Sequence, residues 1–181
     1  MLVVPSLVVS NLKIEMMPMG RVDNKKLREL SFSQLEDAVQ EAERLLDSGY
    51  RREGQWSLGQ ICRHCREVQE MSLRGFPRWM LMFAWLRPVM RKTLLPRIMR
   101  GESPIGLPTA PWLVPRPDLD DREEVLAFVE SAQRLRDHLG DYYPHPGFGQ
   151  LGREGLLKLY TAHAAHHLRF LQPLDPRSHG S

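Results

Sequence analysis

Four stretches of this chain place apolar residues three and four positions apart, and none alternates apolar with polar. That period belongs to helices, so the sequence has helical faces to bury and no half-buried sheet face. The first stripe is Leu35, Ala38, Val39, Ala42, Leu45 and Leu46. Ser33 to Glu36 reads as its capping box and Gly49 as its left-handed stop. The second starts at Trp56-Ser57, with Ser57 as cap, and continues through Leu58, Ile61, Cys65 and Val68. A third opens at Asp120 or Asp121 and runs from Val125 to Leu139, with Gly140 as its stop. The last begins near Leu151 to Arg153, passes Leu156, Leu159, Tyr160, His163, His167 and Phe170, and ends at Pro173. The expected architecture is all-α, an antiparallel four-helix bundle.

Between the second and third stripes the pattern is irregular. The segment from Gly75 to Gly101 is apolar and basic, helical in parts and interrupted by Pro77, Pro88 and Pro96. A proline-rich connection over 101–120 follows, of the kind that wraps a surface or covers a site. The predicted organisation is a lead over 1–29, one helical domain over 30–173 and a tail over 174–181. A chain of 181 residues suits a single domain that folds without a disulfide or a structural metal.

From Met71 to Gly101 seven basic residues occur without one acid, within a net charge of +3. Such a stripe attracts phosphate, an anionic surface or an acidic partner, or simply keeps a helix face solvated. No nucleic-acid recognition motif accompanies it, so no nucleic-acid partner is expected. Within it, Trp79 to Leu86 is an apolar run suited first to core packing, then to a homodimer seam, then to a lipid surface. No apolar run is long enough to span a bilayer. With only Cys62 and Cys65 and no secretory leader pattern, a reducing, cytoplasmic location is expected.

The chemistry lies in the histidines. On a helix, His163 and His167 are neighbours on one face, their β-carbons about 6 Å apart, and can aim two imidazoles at one point. His166 points elsewhere and suits a hydrogen-bonding partner on the flank. A zinc-protease reading fails because Ala164 stands where the glutamate is needed. His64 shares a face with Ile61 and Val68, so it is expected to point inward, where a buried ring needs a partner. His145, in the turn before the last helix, reads as a turn residue, a group behind the site or a proton shuttle. Cys62-Arg63-His64-Cys65 lacks the second cysteine pair of a zinc knuckle and lies too far along its helix for a redox pair.

Taken together, several motifs resemble the DinB/YfiT-like superfamily of metal-binding four-helix bundles, in an uncharacterised subgroup. They are Phe32-Ser33 with Leu35-Glu36 and Ala38, Gly49-Tyr50, Gly54 with Trp56-Ser57, and Pro104-Ile105-Gly106. His145-Pro146-Gly147-Phe148-Gly149 and the run from His163 to Phe170 complete the set. The resemblance covers Leu30 to Pro173. It implies a divalent metal, zinc or nickel first and other divalent ions after them, held by His64, His163 and His167, with His145 and His166 behind them. Cys65 departs from the pattern, standing where relatives carry an aliphatic residue. Three imidazoles leave a coordination position open, the arrangement of catalytic rather than closed structural sites. Two functions follow as expectations. One is a metal-dependent thiol transferase or hydrolase acting on a small thiol or electrophile. The other is a non-catalytic binding or interaction protein in which the histidine cluster is structural.

Overall fold

The computed structural model describes residues 27–104 and 111–174 of the chain. Most of the expected lead over 1–29, the tail beyond Leu174 and residues 105–110 of the proline-rich connection lie outside the described residues. The described chain is mostly helical, with α1 (Leu35–Ser48), α2 (Leu58–Arg74), α3 (Arg87–Thr93), α4 (Leu95–Met99), α5 (Asp121–Asp137) and α6 (Gly152–Leu168). A 3-10 segment (Arg78–Leu86) precedes α3, and a 3-10 turn (Pro111–Leu113) precedes α5. Two three-residue strands, β1 (Tyr50–Arg52) and β2 (Leu171–Pro173), pair antiparallel with Arg51 opposite Gln172. The sequence shows no sign of this sheet because three residues are too few to display an alternation.

The stripes are buried largely as their spacing predicts, except that Leu126 faces solvent and Leu139, expected to end the third stripe, lies exposed beyond α5. Leu35, Ala38, Ala42 and Leu45 of α1 meet Leu58, Ile61, Cys62 and Cys65 of α2, Val125, Phe128 and Leu135 of α5, and Leu156, Tyr160 and Ala164 of α6. α1 packs on α2, α5 and α6, and α2 on α5 and α6. The direction of one pair differs from expectation. Gly59 of α2 meets Asp121 of α5 while Glu70 meets Arg134, so α2 and α5 run parallel. The long connection carries the chain back to the end at which α2 began, which a short loop could not do.

Several helix ends shift for identifiable reasons. Gln34, not Ser33, is the N-cap of α1, because the Asp37 carboxylate accepts the backbone N–H groups of Ser33 (2.8 Å) and Gln34 (3.1 Å). Those two donors hold the Asp37 carboxyl below its ordinary value. Ser57 caps α2 as expected, its hydroxyl accepting from the N–H of Gln60 while Gln60 Oε1 accepts from the N–H of Ser57. Asp120 caps α5 through the N–H of Glu123. α5 stops at Asp137 rather than at Gly140, since the Arg153 guanidinium takes up the carbonyls of Arg136 and His138. α6 stops at Leu168, whose carbonyl accepts from Arg28, and Phe170 lies beyond it.

Pro88 and Pro96 open α3 and α4 within their first turns, where a missing N–H costs little. The run from Trp79 to Leu86 is not part of the buried core that its apolar composition predicts. Trp79, Leu81, Met82 and Trp85 are all exposed. A nine-residue 3-10 helix laid across the molecule's side cannot bury a face all round. No helix of the described residues is long and apolar enough to cross a membrane.

Candidate metal centre

His64 is buried on α2, nearly two turns into the helix that Ser57 and Asp121 anchor. The Asp121 carboxylate accepts from the N–H of Gly59 at 2.7 Å and from the Tyr50 hydroxyl at 2.7 Å, and that hydroxyl accepts from the N–H of Leu58 at 2.9 Å. Burial and the neighbouring carboxylate push the Tyr50 phenol up to about 12, so it remains a donor. A β-carbon at Gly59 would stand 2.9 Å from Asp121 Oδ1, so a glycine lets the two helix starts touch.

His163 and His167 project from α6 toward His64. His163 Nε2 lies 3.2 Å from His64 Nε2 and 3.1 Å from His167 Nε2. One ligand nitrogen from each ring lies within 4.8 Å of the others, a grouping able to hold a metal ion. His64 Nδ1 stands 3.0 Å from the carbonyl of Leu113. A carbonyl only accepts, so Nδ1 carries the proton and Nε2 presents a lone pair to the cluster. Burial and mutual proximity hold His163 and His167 well below the ordinary histidine range, and burial lowers His64 against the opposing hydrogen bond to Leu113. All three are therefore neutral. One proton on His163 Nε2 cannot serve both neighbouring nitrogens, whereas a divalent ion takes a lone pair from each ring. The donor set fits a metal ion that accepts imidazole nitrogen.

Trp56 walls the cluster, stacking near-parallel on His167 (19°, centroids 5.4 Å apart) and standing 5.0 Å from His64. Sequence reasoning placed Trp56 at a helix start without giving it this task. The Leu113 carbonyl was beyond its reach, since a backbone acceptor from a distant loop leaves no residue-type signal.

His166 makes an edge contact with His167 at 5.0 Å, and its buried Nδ1 has no hydrogen-bond partner among the described residues. Burial and Arg169 bring it down to about 4. His145 belongs to its turn. Its Nδ1 accepts from the N–H of Gly147 at 3.1 Å, its ring stacks on Phe148, and its backbone pairs with Gly149. Burial and then Arg87 bring His145 down to about 4. Cys65 turns into the core beside Cys62, and neither joins the histidine grouping. Burial pushes the Cys65 thiol up to about 12 and that of Cys62 well above its ordinary value, so both stay protonated.

Two surface clefts flank this region. One of about 380 Å³ is lined by Arg66, Glu70, Arg74, Trp112 and Leu113, the other of about 660 Å³ by Tyr50, Ser57 and Asp121. The three histidines line neither. The first shares Leu113 with the hydrogen bond that orients His64.

No curated protein and no solved structure matches the chain. A family model described as "Protein of unknown function (DUF1569)" matches residues 24–174. That match takes in the capped start of α2, the histidine pair of α6 and everything packed between them, and the chain belongs to this DUF1569 family.

Proposed function

We propose that the chain is a DinB-like four-helix bundle protein that binds a divalent metal, zinc or nickel, through His64, His163 and His167. The observation carrying this reading is the convergence of three Nε2 atoms, with His64 committed as a lone-pair donor by the Leu113 carbonyl. The packing of α2 on α6 supports it, since it brings His64 opposite His163 and His167. A divalent ion there supplies Lewis acidity for thiol transfer or hydrolysis. The chain's own contribution is to present three neutral imidazoles, to hold His64 in one tautomer, and to shield the cluster from one side with the Trp56 indole. The substrate is a small thiol or an electrophile, and the protein acts in the cytoplasm.

A second reading, a non-catalytic protein whose cluster only ties α2 to α6, is favoured by one observation. The histidines line neither surface cleft, and Trp56 covers part of them.

The test is metal content by mass spectrometry on protein purified without tag or chelator, beside the His163→Ala, His167→Ala double variant. About one metal per chain in the parent, lost in the variant, is the expected result. Absence of metal after incubation with zinc, nickel and manganese would overturn it. Turnover by the loaded protein in a screen of thiols with electrophiles separates the enzyme from the tie.

A further inference from the structure

The 3-10 segment Arg78–Leu86 runs for nine residues, well beyond the three or four usual for that geometry. Three residues per turn set positions i and i+3 in register, so Trp79, Met82 and Trp85 form one straight row. In an α-helix the same three would drift around the axis. Val89 and Lys92 of α3 extend the line by helical steps. The row is open to solvent: Met82 is 72% exposed, Trp85 75% and Val89 59%. Trp112 widens it, set edge-on to Trp79 with ring centroids 4.1 Å apart and itself exposed. Three of the four tryptophans of the chain thus lie on or beside one surface.

Positive charge predominates along the row, with Glu67 and Glu70 confined to the cleft beside Trp112. Arg87 and Arg91 fasten the segment by donating to the carbonyls of Pro146 (2.9 Å) and Gln150 (3.0 Å). Arg78 and Lys92 are exposed and form no ion pair among the described residues. No acid occurs anywhere from Met71 to Gly101. A second copy of the chain docked face to face would set this cationic surface against itself, an arrangement that like charges oppose. A surface offering anionic groups outside and apolar depth beneath complements both halves of the pattern. Indole and thioether side chains suit the boundary between headgroups and acyl chains, and lysine and arginine suit the charge above it.

We infer that the row Trp79, Met82, Trp85 and Val89, with Arg78 and Lys92 beside it, docks the protein peripherally on an anionic phospholipid bilayer. The protein lies on the membrane without crossing it. This goes beyond the metal site and does not depend on it.

The test uses the full chain with vesicles of phosphatidylcholine alone and of phosphatidylcholine with phosphatidylglycerol. Co-sedimentation and tryptophan emission are followed as salt is raised. The protein should pellet with the anionic vesicles only, shift its emission to the blue, and be released by salt. Brominated acyl chains should quench that emission. Arg78→Gln with Lys92→Gln should weaken binding about fivefold for each cation removed. Met82→Ser with Trp85→Ser should abolish the blue shift. Both pairs alter exposed side chains, so circular dichroism should match the parent.

A folded parent that stays in the supernatant with anionic vesicles would overturn the inference, as would binding indifferent to either pair of substitutions. A dimer by sedimentation that Trp85→Ser disperses would assign the row to a second copy instead. Retention of duplex DNA, sensitive to the two cations and unaccompanied by vesicle binding, would assign it to nucleic acid.

Discussion

The Nδ1–H of His64 donates to the backbone carbonyl of Leu113 at 3.0 Å, across 49 residues of sequence. That bond turns the lone pair of His64 toward His163 and so sets the donor count of the cluster. Metal added to the protein should therefore stabilise it. At free metal a hundredfold above Kd the gain is about 2.7 kcal/mol, or roughly 5–10 °C in Tm for a domain of this size. Differential scanning calorimetry with and without chelator reads it. His163→Ala should remove the metal-dependent part of the shift, because His163 Nε2 is the atom that both other rings approach.

Trp56 should report on occupancy. Its ring lies beside His64 and His167, whereas Trp79, Trp85 and Trp112 stand on the outer surface. Nickel titration is expected to quench part of the emission of the parent protein and to leave the emission of Trp56→Phe almost unchanged. Quenching that persists in the variant would place the metal elsewhere.

His145 should make the stability of the metal-free protein depend on pH. Burial lowers it from an ordinary 6.5 to about 4 in the folded chain. Above 6.5 the ring is neutral in both states and nothing is lost. Between 6.5 and 4 the unfolded chain binds a proton that the folded chain refuses, so stability falls as pH falls. The slope from this one ring is at most about 1.4 kcal/mol per pH unit. Urea midpoints of the parent and of His145→Gln across that range should show a shallower acid slope in the variant.

Asp121→Ala should destabilise the protein by about 2–4 kcal/mol, measured by denaturant unfolding, since a carboxylate accepting from Tyr50 and Gly59 is removed from a partly buried place. Metal affinity should fall as well, because the start of α2 that aims His64 loses its anchor. Asp121→Asn, which keeps one acceptor, should cost less.

Cys62 and Cys65 should resist a thiol reagent until the protein unfolds. Both are buried and both thiols are held protonated. Two thiols released only in denaturant is the expected titration. Rapid labelling of either in the native state would show that the core opens around α2.

The helical stripes and the inward turn of His64 were legible because each is a property of one helix. Spacing places His64 with Ile61 and Val68, and His163 with His167, whatever lies opposite. The parallel run of α2 and α5 was not legible, because local periodicity is silent on which end of a helix meets which. The cap of α1 moved by one residue because Asp37 competes with Glu36 as the acceptor, and both read alike as acids in a first turn. The surface row from Trp79 was misread as core because its apolar composition is that of a core. Only its 3-10 winding and its place outside the long helices show that it stays exposed. The wall at Trp56 and the carbonyl of Leu113 depend on loops folding back, which no spacing encodes.

Trp112 touches Trp79 of the outer row, and its neighbour Leu113 holds His64. One short turn, Pro111–Leu113, therefore joins the exposed surface to the histidine cluster. A ligand on the row that displaced Trp112 would bear on the neighbouring carbonyl that orients His64. By thermodynamic reciprocity, any such effect on metal affinity would be matched by an equal effect of metal on affinity at the surface. Vesicle binding measured with and without metal, and metal binding measured with and without vesicles, should yield one and the same coupling.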